Sequence, residues 1–551
     1  GPGPQTGRLM APLRPSAARH ARPPRRRRLG PGPALAAAAS YGFSAALLWS
    51  FSEGRLPLLV FAAVLPIVWE RFDGFLGAAS VDVRVVVGLG MALAAAFMFL
   101  PGALLGVVLL FAVHAVGRRT SVGTRSGLLA IGAGLGLVFP LIIEAVRAPS
   151  TAFGSSVAPA SVASLLRFAV GAGPGTGRTA VFLPIAALIC FAFADEERRG
   201  VAVRALVTAL LGLGLAWLSA SRLLPGPLAN APVYLVVAAF SAALLVGHGI
   251  TAFAADVGAR GFGLRQVTGA VLALVLAVGL GAQALQVAVG EWAIGRDGLP
   301  AAWPVVSSEP GSFRVLWLGR VGGDPFPAPG GDPQGVLAAG DASVRYAITD
   351  RDGVTALDLG RGVHGAGYDY LTGVLRELVD GTTEHVGAML APLGVRFIVA
   401  AEDDLPPAVV ARLGVQTDVD AVPAGGIAIY RNARALPVAS VLSDPRLDSA
   451  TGIADAALLA PKDPAPLERD GVGWAGDSPG GTGYLAVEDD GGWRAGIIRG
   501  ERAFGWAVRF DALEGPVLVR HRTSIVRLLE LLALAGLWAA ALWATRRPVS
   551  A

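Results

Sequence analysis

Residues 34–290 form a near-continuous series of apolar segments, and clustered arginines recur at every second connector between them. A hydrocarbon core of about 30 Å needs roughly 20 helical residues, with about 17 as the lower end. On that measure the spans read as 34–51, 56–69, 85–100, 103–116, 128–146, 179–194, 205–220, 233–255 and 266–289, with a last one at 525–544. The second to fourth are short. If 85–116 is one tilted helix and 56–69 lies in the interface, ten spans become eight. Connectors bearing Arg118, Arg119 and Arg125, then Arg198, Arg199 and Arg204, then Arg260 and Arg265 fall on one side of the bilayer. Cations remain in the cytoplasm, so that side is the inner one. Arg25, Arg26, Arg27 and Arg28, with Arg546 and Arg547, put both termini there, which only an even number of spans allows.

The fold class expected is therefore a polytopic α-helical membrane protein of about 8–10 transmembrane helices in the plasma membrane. An extracytoplasmic α/β plus β-rich domain precedes its last helix. Charged residues are 16% and hydrophobic residues 53% of the chain, against about 25% charged in soluble domains. The net charge of +5 lies in connectors and tails, so positive-inside topology explains it and no nucleic-acid partner is expected. One lysine, Lys462, beside abundant Ala, Gly, Arg and Pro marks a GC-rich, actinobacterial composition. Cys190 is the only cysteine, which excludes an intrachain disulfide and a cysteine zinc site. The chain begins at Gly1 without a methionine or a signal-peptide layout and is expected to be a piece of a longer polypeptide.

The domains expected are a disordered basic cytoplasmic tail (1–33), a multi-spanning region (34–290), an extracytoplasmic α/β domain (291–480), a small β-rich unit (481–523), a final membrane helix (524–545) and a cytoplasmic tail (546–551). Strand-like runs occur at 313–318, 344–348, 395–400 and 427–430, with helical patterns at 371–379 and 384–390. From 483 to 519 there are only strand-like runs between Gly and Asp turns, such as 483–487, 493–498 and 506–510. An interfacial helix is expected near 162–170.

Several motifs are weighed against blander roles. Gly173 to Thr179 imitates a phosphate-binding loop, but Ala172 and Arg178 stand where Gly and Lys are required, so it reads as a loop. Asp418/Asp420, Asp350/Asp352, Glu402–Asp404 and Asp489/Asp490 could share a divalent cation with a diphosphate. As outward-facing pairs they read better as turns and helix caps. Glu144 is the best intramembrane carboxylate, a functional hypothesis by default, although Arg147 one turn on offers an ion pair. Glu53 is the only acid in the short outer loop 52–55. His114 and His248 read as interfacial anchors, and Gly132 with Gly136 as a helix-packing pair.

The runs Met389–Val399 (MLAPLGVRFIV), Ile429–Pro437 (IYRNARALP), Gly492–Ala495 (GWRA) and Gly505–Phe510 (GWAVRF), closing on one membrane helix, resemble the C-terminal half of large actinobacterial family-2 glycosyltransferases. They also resemble the tail of YfhO-type membrane proteins, relatives of the multi-spanning GT-C transferases. The likeness spans about 85–545. It implies a cytoplasmic nucleotide-sugar domain, upstream or separate, whose catalytic residues have no counterpart among these residues. The matched motifs build the fold: Pro392 and Gly394 shape a turn, and Trp493 and Trp506 pack the β-rich unit.

Three functions follow from this reading. The first is the membrane-embedded and extracytoplasmic portion of a cell-envelope glycosyltransferase, holding a glycan or lipid-linked acceptor in the bilayer while that other domain transfers the sugar. The second is a GT-C-like enzyme using a polyprenyl-phosphate sugar. Glu53 or Glu144 would then be the catalytic carboxylate, with a divalent cation as its one expected cofactor. The third is a non-catalytic transporter or scaffold for envelope glycolipid.

Overall fold

The computed structural model describes residues 29–52, 55–75, 80–117, 120–147, 161–169, 176–194, 196–221, 223–224, 228–259, 263–289, 304–306, 308–320, 335–339, 342–351, 365–400, 405–422, 428–443, 452–458, 464–471 and 473–546. All ten apolar segments are helical, several of them broken. The helices are α1 Pro31–Gly42, α2 Ala45–Ser52, α3 Leu56–Phe75, α4 Val83–Phe99, α5 Ala103–Gly117, α6 Ser121–Gly136, α7 Phe139–Arg147, the short α8 Val162–Leu166, α9 Phe182–Ala192, α10 Glu196–Ala220, α11 Ala231–Ala259 and α12 Leu264–Val289. Among the described residues four helices are long and apolar enough to cross a membrane: those ending at Ala220, Ala259, Val289 and Arg546. A fifth arises if α1 and α2, bent by 54° at the Gly42–Ser44 break, form one span. The protein is thus a helical membrane protein with a β-rich C-terminal region.

The core of the bundle is α11, which is apolar around its whole circumference from Val233 to Val246 and is packed by α1, α3, α5, α9 and α10. Helix α3 is embedded in the bundle, with Phe61, Leu65 and Val68 fully buried, so it does not lie along the interface. It also runs past the expected end at Trp69 to Phe75. Pro101 and Gly102 separate α4 from α5, which pack on different neighbours, so 85–116 is two helices. The break at Leu137–Val138 precedes Pro140 and leaves the Leu137 carbonyl outside the helical ladder. The indole N–H of Trp538, on the last helix, donates to it at 2.9 Å.

Close helix packing uses glycines other than the expected pair. A Cβ at Gly134 would meet Leu93 at 2.9 Å, one at Gly90 would meet Ala133 at 2.7 Å, and one at Gly127 would meet Phe111 at 2.3 Å. Gly132 and Gly136 face open space. Gly127 and Gly134 lie seven residues apart and share the face that meets α4 and α5, while Gly132 and Gly136 point away from it.

The polar region holds two sheets. The first contains β1 Arg314–Arg320, β2 Gly335–Ala339, β3 Ala342–Asp350, β4 Val395–Ala400, β5 Val419–Val422 and β6 Ala428–Asn432, in the order β2-β3-β1-β4-β6-β5. Only β1 and β4 pair in parallel. Alternation along β1 explains its place at the centre: Leu316 and Leu318 join a core built with α13 Ala366–Asp380, α14 Val386–Leu390 and α15 Pro407–Gly414. Val315 and Trp317 face the opposite way, into a second core with Phe313, Phe397 and Ile429. Helix α16, Ile453–Leu458, follows.

The second sheet comprises β7 Ala439–Leu442, β8 Ala465–Pro466, β9 Glu468–Asp470, β10 Gly473–Leu485, β11 Trp493–Ala495, β12 Ile498–Arg499, β13 Glu501–Ala503 and β14 Ala507–His521. Its order is β12-β11-β14-β10-β7-β8. The expected boundary at 480/481 falls inside β10, and the sheet begins well earlier in the chain, at Ala439, because β7 pairs with β10. Trp506 packs on Tyr370 of α13 at 6.1 Å rather than only within the β-rich unit, and Gly367 gives it room. Gly394 has φ of +72° in the turn between α14 and β4, as the resemblance implies. The last helix, α17 Ile525–Arg546, packs against α4.

Candidate functional site

Helix contacts define two opposite ends of the bundle. One gathers Phe75 with Gly123, Leu29 and Ala37 with Gly247, and Phe253 with Gly269. It carries the described arginine connectors around Arg125, Arg198 and Arg265. The other gathers Phe61 with Gly106, Phe182 with Gly279, and Thr179 with Gln283. Helix α12 ends at this second end.

At the second end Arg55 is only 7% exposed. Its guanidinium lies 4.1 Å over the ring of Trp49, a cation–π contact between α2 and the start of α3. Around this end are Gln283, fully buried and 3.5 Å from Thr179, and Asn230, whose side-chain oxygen accepts from the Val233 N–H at 3.3 Å. A guanidinium is expensive to bury, and in a membrane protein such a group is a functional candidate by default. Sequence reasoning took Arg55 only as the edge of the outer loop; its burial depends on the fold of α2 against α3. Glu53, two residues away, lies outside the described residues. Glu144 falls in the last turn of α7, where the backbone alone is described. The imitation phosphate loop lies outside the described residues up to Gly175; Arg178 to Val181 forms a 3-10 turn leading into α9.

At the arginine-bearing end the structure brings together groups that spacing did not. Asp73 of α3 and Arg204 of α10 pair at 2.5 Å, with the arginine side chain 7% exposed. His114 is buried close by, its Nδ1 2.8 Å from the Leu110 carbonyl and its ring 4.5 Å from Trp69. Both His114 and His248 are buried against neighbouring helices, so they are interior and not interfacial anchors.

Several acids of the polar region take structural roles, while Asp420 is exposed on β5. Asp418 is buried and accepts the Gly387 and Ala388 N–H groups at 3.0 and 2.6 Å, capping α14 from a distant strand. Asp350 pairs with Arg314 at 3.2 Å. Asp489 accepts from the Gly491 N–H. Partial burial raises the Asp490 carboxyl, but the Gly492 N–H and His521 outweigh it and hold the group below the usual carboxylate range. Asp352 and Glu402 to Asp404 lie outside the described residues. Among the described residues no cluster of three or more His, Cys, Asp or Glu is placed to hold a metal.

No protein-family model and no curated protein matches the chain. Among solved structures it is similar to arabinofuranosyltransferase AftD from Mycobacteria, determined by single-particle cryo-EM. That likeness has 15% identity and a TM-score of 0.29, over 76% of this chain and 34% of the other. The chain therefore spans about a third of that structure, and a likeness so loose says nothing of a reaction.

Proposed function

We propose that this protein is the membrane-embedded and extracytoplasmic part of a cell-envelope glycosyltransferase system in the plasma membrane. Its bundle holds a polyprenyl-phosphate-linked glycan at the end that bears Arg55, and sugar-nucleotide chemistry belongs to another domain or polypeptide. Arg55 carries this reading: a guanidinium braced on Trp49 at the mouth of an apolar bundle suits the phosphate of a lipid whose tail lies among the helices. The resemblance of the C-terminal runs to envelope transferases agrees with it.

The test is photo-crosslinking of a polyprenyl-phosphate probe to the protein in native membranes. Arg55→Gln should lose most of the crosslink while Arg167→Gln, on the turn after α8, keeps it; equal labelling of both variants rejects the assignment. A second reading, direct GT-C-like transfer, draws on Glu53, two residues before Arg55 in the sequence. It requires Glu53→Gln or Glu144→Gln to abolish transfer from a polyprenyl-phosphate donor, and full activity in both removes it.

A further inference from the structure

A groove of about 990 Å³ runs between the two sheets of the polar region, far in sequence from the bundle. That size is at the upper end of small-ligand sites, roughly 300–1,000 Å³. One wall is Phe313, Arg314, Asp350 and Arg351 from the first sheet together with Arg396 of β4. The other is Glu468, Arg469 and Trp474 from β9 and β10, and Leu436, Val438 and Leu467 are apolar parts of the lining. Its charges are four arginines against two acids. Three of the guanidinium groups are positioned. Arg314 is tied to Asp350 and to the Leu393 carbonyl. Arg396 is held by Glu309, and Arg351 donates to the Gly311 carbonyl beside the Phe313 ring. Trp474 packs against Trp493 with ring centroids 5.4 Å apart and planes tilted by 52°, and its indole N–H is buried without a hydrogen-bond partner.

We infer that this groove binds an anionic saccharide, one whose rings carry carboxylate or phosphate. The lining offers N–H donors on guanidinium groups and an indole beside flat apolar surface. That is the complement of a sugar, which presents many acceptors and apolar ring faces. An acidic peptide fits less well. Adding a strand needs free backbone donors along an edge, and the edge strand β8 is flanked and ended by Pro464 and Pro466, which have none. The inference stands on the groove alone and does not depend on Arg55 or on what the bundle holds.

The experiment measures binding of fluorescent oligosaccharides to the full chain in nanodiscs. The probes are oligogalacturonate for carboxylate, phosphorylated mannan oligosaccharide for phosphate, neutral maltohexaose and polyglutamate. At least one anionic saccharide should bind about tenfold or more tightly than maltohexaose and polyglutamate, as expected of charge-assisted bonds. Which of the two binds identifies the anionic group. The double variant Arg351→Ala, Arg469→Ala should lose about tenfold of that affinity. Trp474→Phe, which keeps an aromatic ring but removes the N–H donor, should weaken binding without lowering the melting temperature. The inference is overturned if neither anionic saccharide binds in the millimolar range, if maltohexaose or polyglutamate binds as well, or if the double variant matches the parent. Crosslinking at Arg55 reads a different ligand at a different place, so either assignment can fail while the other stands.

Discussion

Glu309 shows how one side chain joins distant parts of the fold. It precedes β1 and accepts from Arg396 at 3.0 and 2.6 Å and from Arg431 at 2.8 and 3.1 Å, tying the chain that arrives from the membrane to strands β4 and β6. Partial burial raises its carboxyl, but the two arginines outweigh that and hold it below the ordinary value of 4.5. A carboxylate with a lowered value stabilises the fold above its ordinary titration range, and that contribution disappears as pH falls through the folded value. Glu309→Gln should therefore lower the melting temperature of the polar region by about 2–4 °C at neutral pH, a modest shift because Arg431 is half exposed. The gap between variant and parent should close as the pH drops below 4.5; a gap independent of pH would show that the charge is not the cause. None of these partners is near Glu309 in the chain, and nothing in the spacing of the three residues links them. The left-handed turn at Gly394 was legible, because a glycine between a helix pattern and a strand pattern has few other uses.

Between elements, the pair Asp73–Arg204 locks α3 to α10 inside the arginine-bearing end of the bundle. Removing one member of such a pair leaves the other charge buried, at a cost of about 3–5 kcal/mol, whereas apolar replacement of both is close to neutral. Asp73→Asn and Arg204→Met should each reduce thermal stability in detergent sharply, and the double variant Asp73→Leu, Arg204→Met should recover most of the loss. Additive losses in the double variant would mean that the two residues act separately. Arginine spacing identified Arg204 as a charge of an inner connector and missed its burial. Eight charged positions along α3 and α10 read alike in sequence, and only the packing angle of the helices selects two of them. The same applies to glycines: a small-residue stripe says that close approach can occur, while helix rotation decides that Gly134 and not Gly136 makes it.

For the whole molecule, sidedness decides which chemistry can reach the polar region. Helix directions place the described arginine connectors at one end and the exit of α12 at the other. Cys190 is 1% exposed, so introduced cysteines can be labelled against a low background. Ile497→Cys, at a turn tip where the native side chain is 99% exposed, should react with an impermeant maleimide on intact, wall-stripped cells. Arg125→Cys should react only after permeabilisation. The opposite pattern would place the polar region in the cytoplasm and remove the proposed function with it.

What sequence alone determined was local: which stretches are apolar long enough to become helices, where strands alternate, and which connectors carry the cations. Each of these depends on residues within one turn or one strand, so the order of side chains along the chain is sufficient. Tertiary structure decided the rest: the burial of Arg55 on Trp49, the partner of Asp73, and a groove assembled from segments near 313, 350, 396, 436 and 474. A period of 3.6 or 2 residues tells which face a side chain occupies, but the face it meets belongs to another part of the chain, and only packing brings the two together.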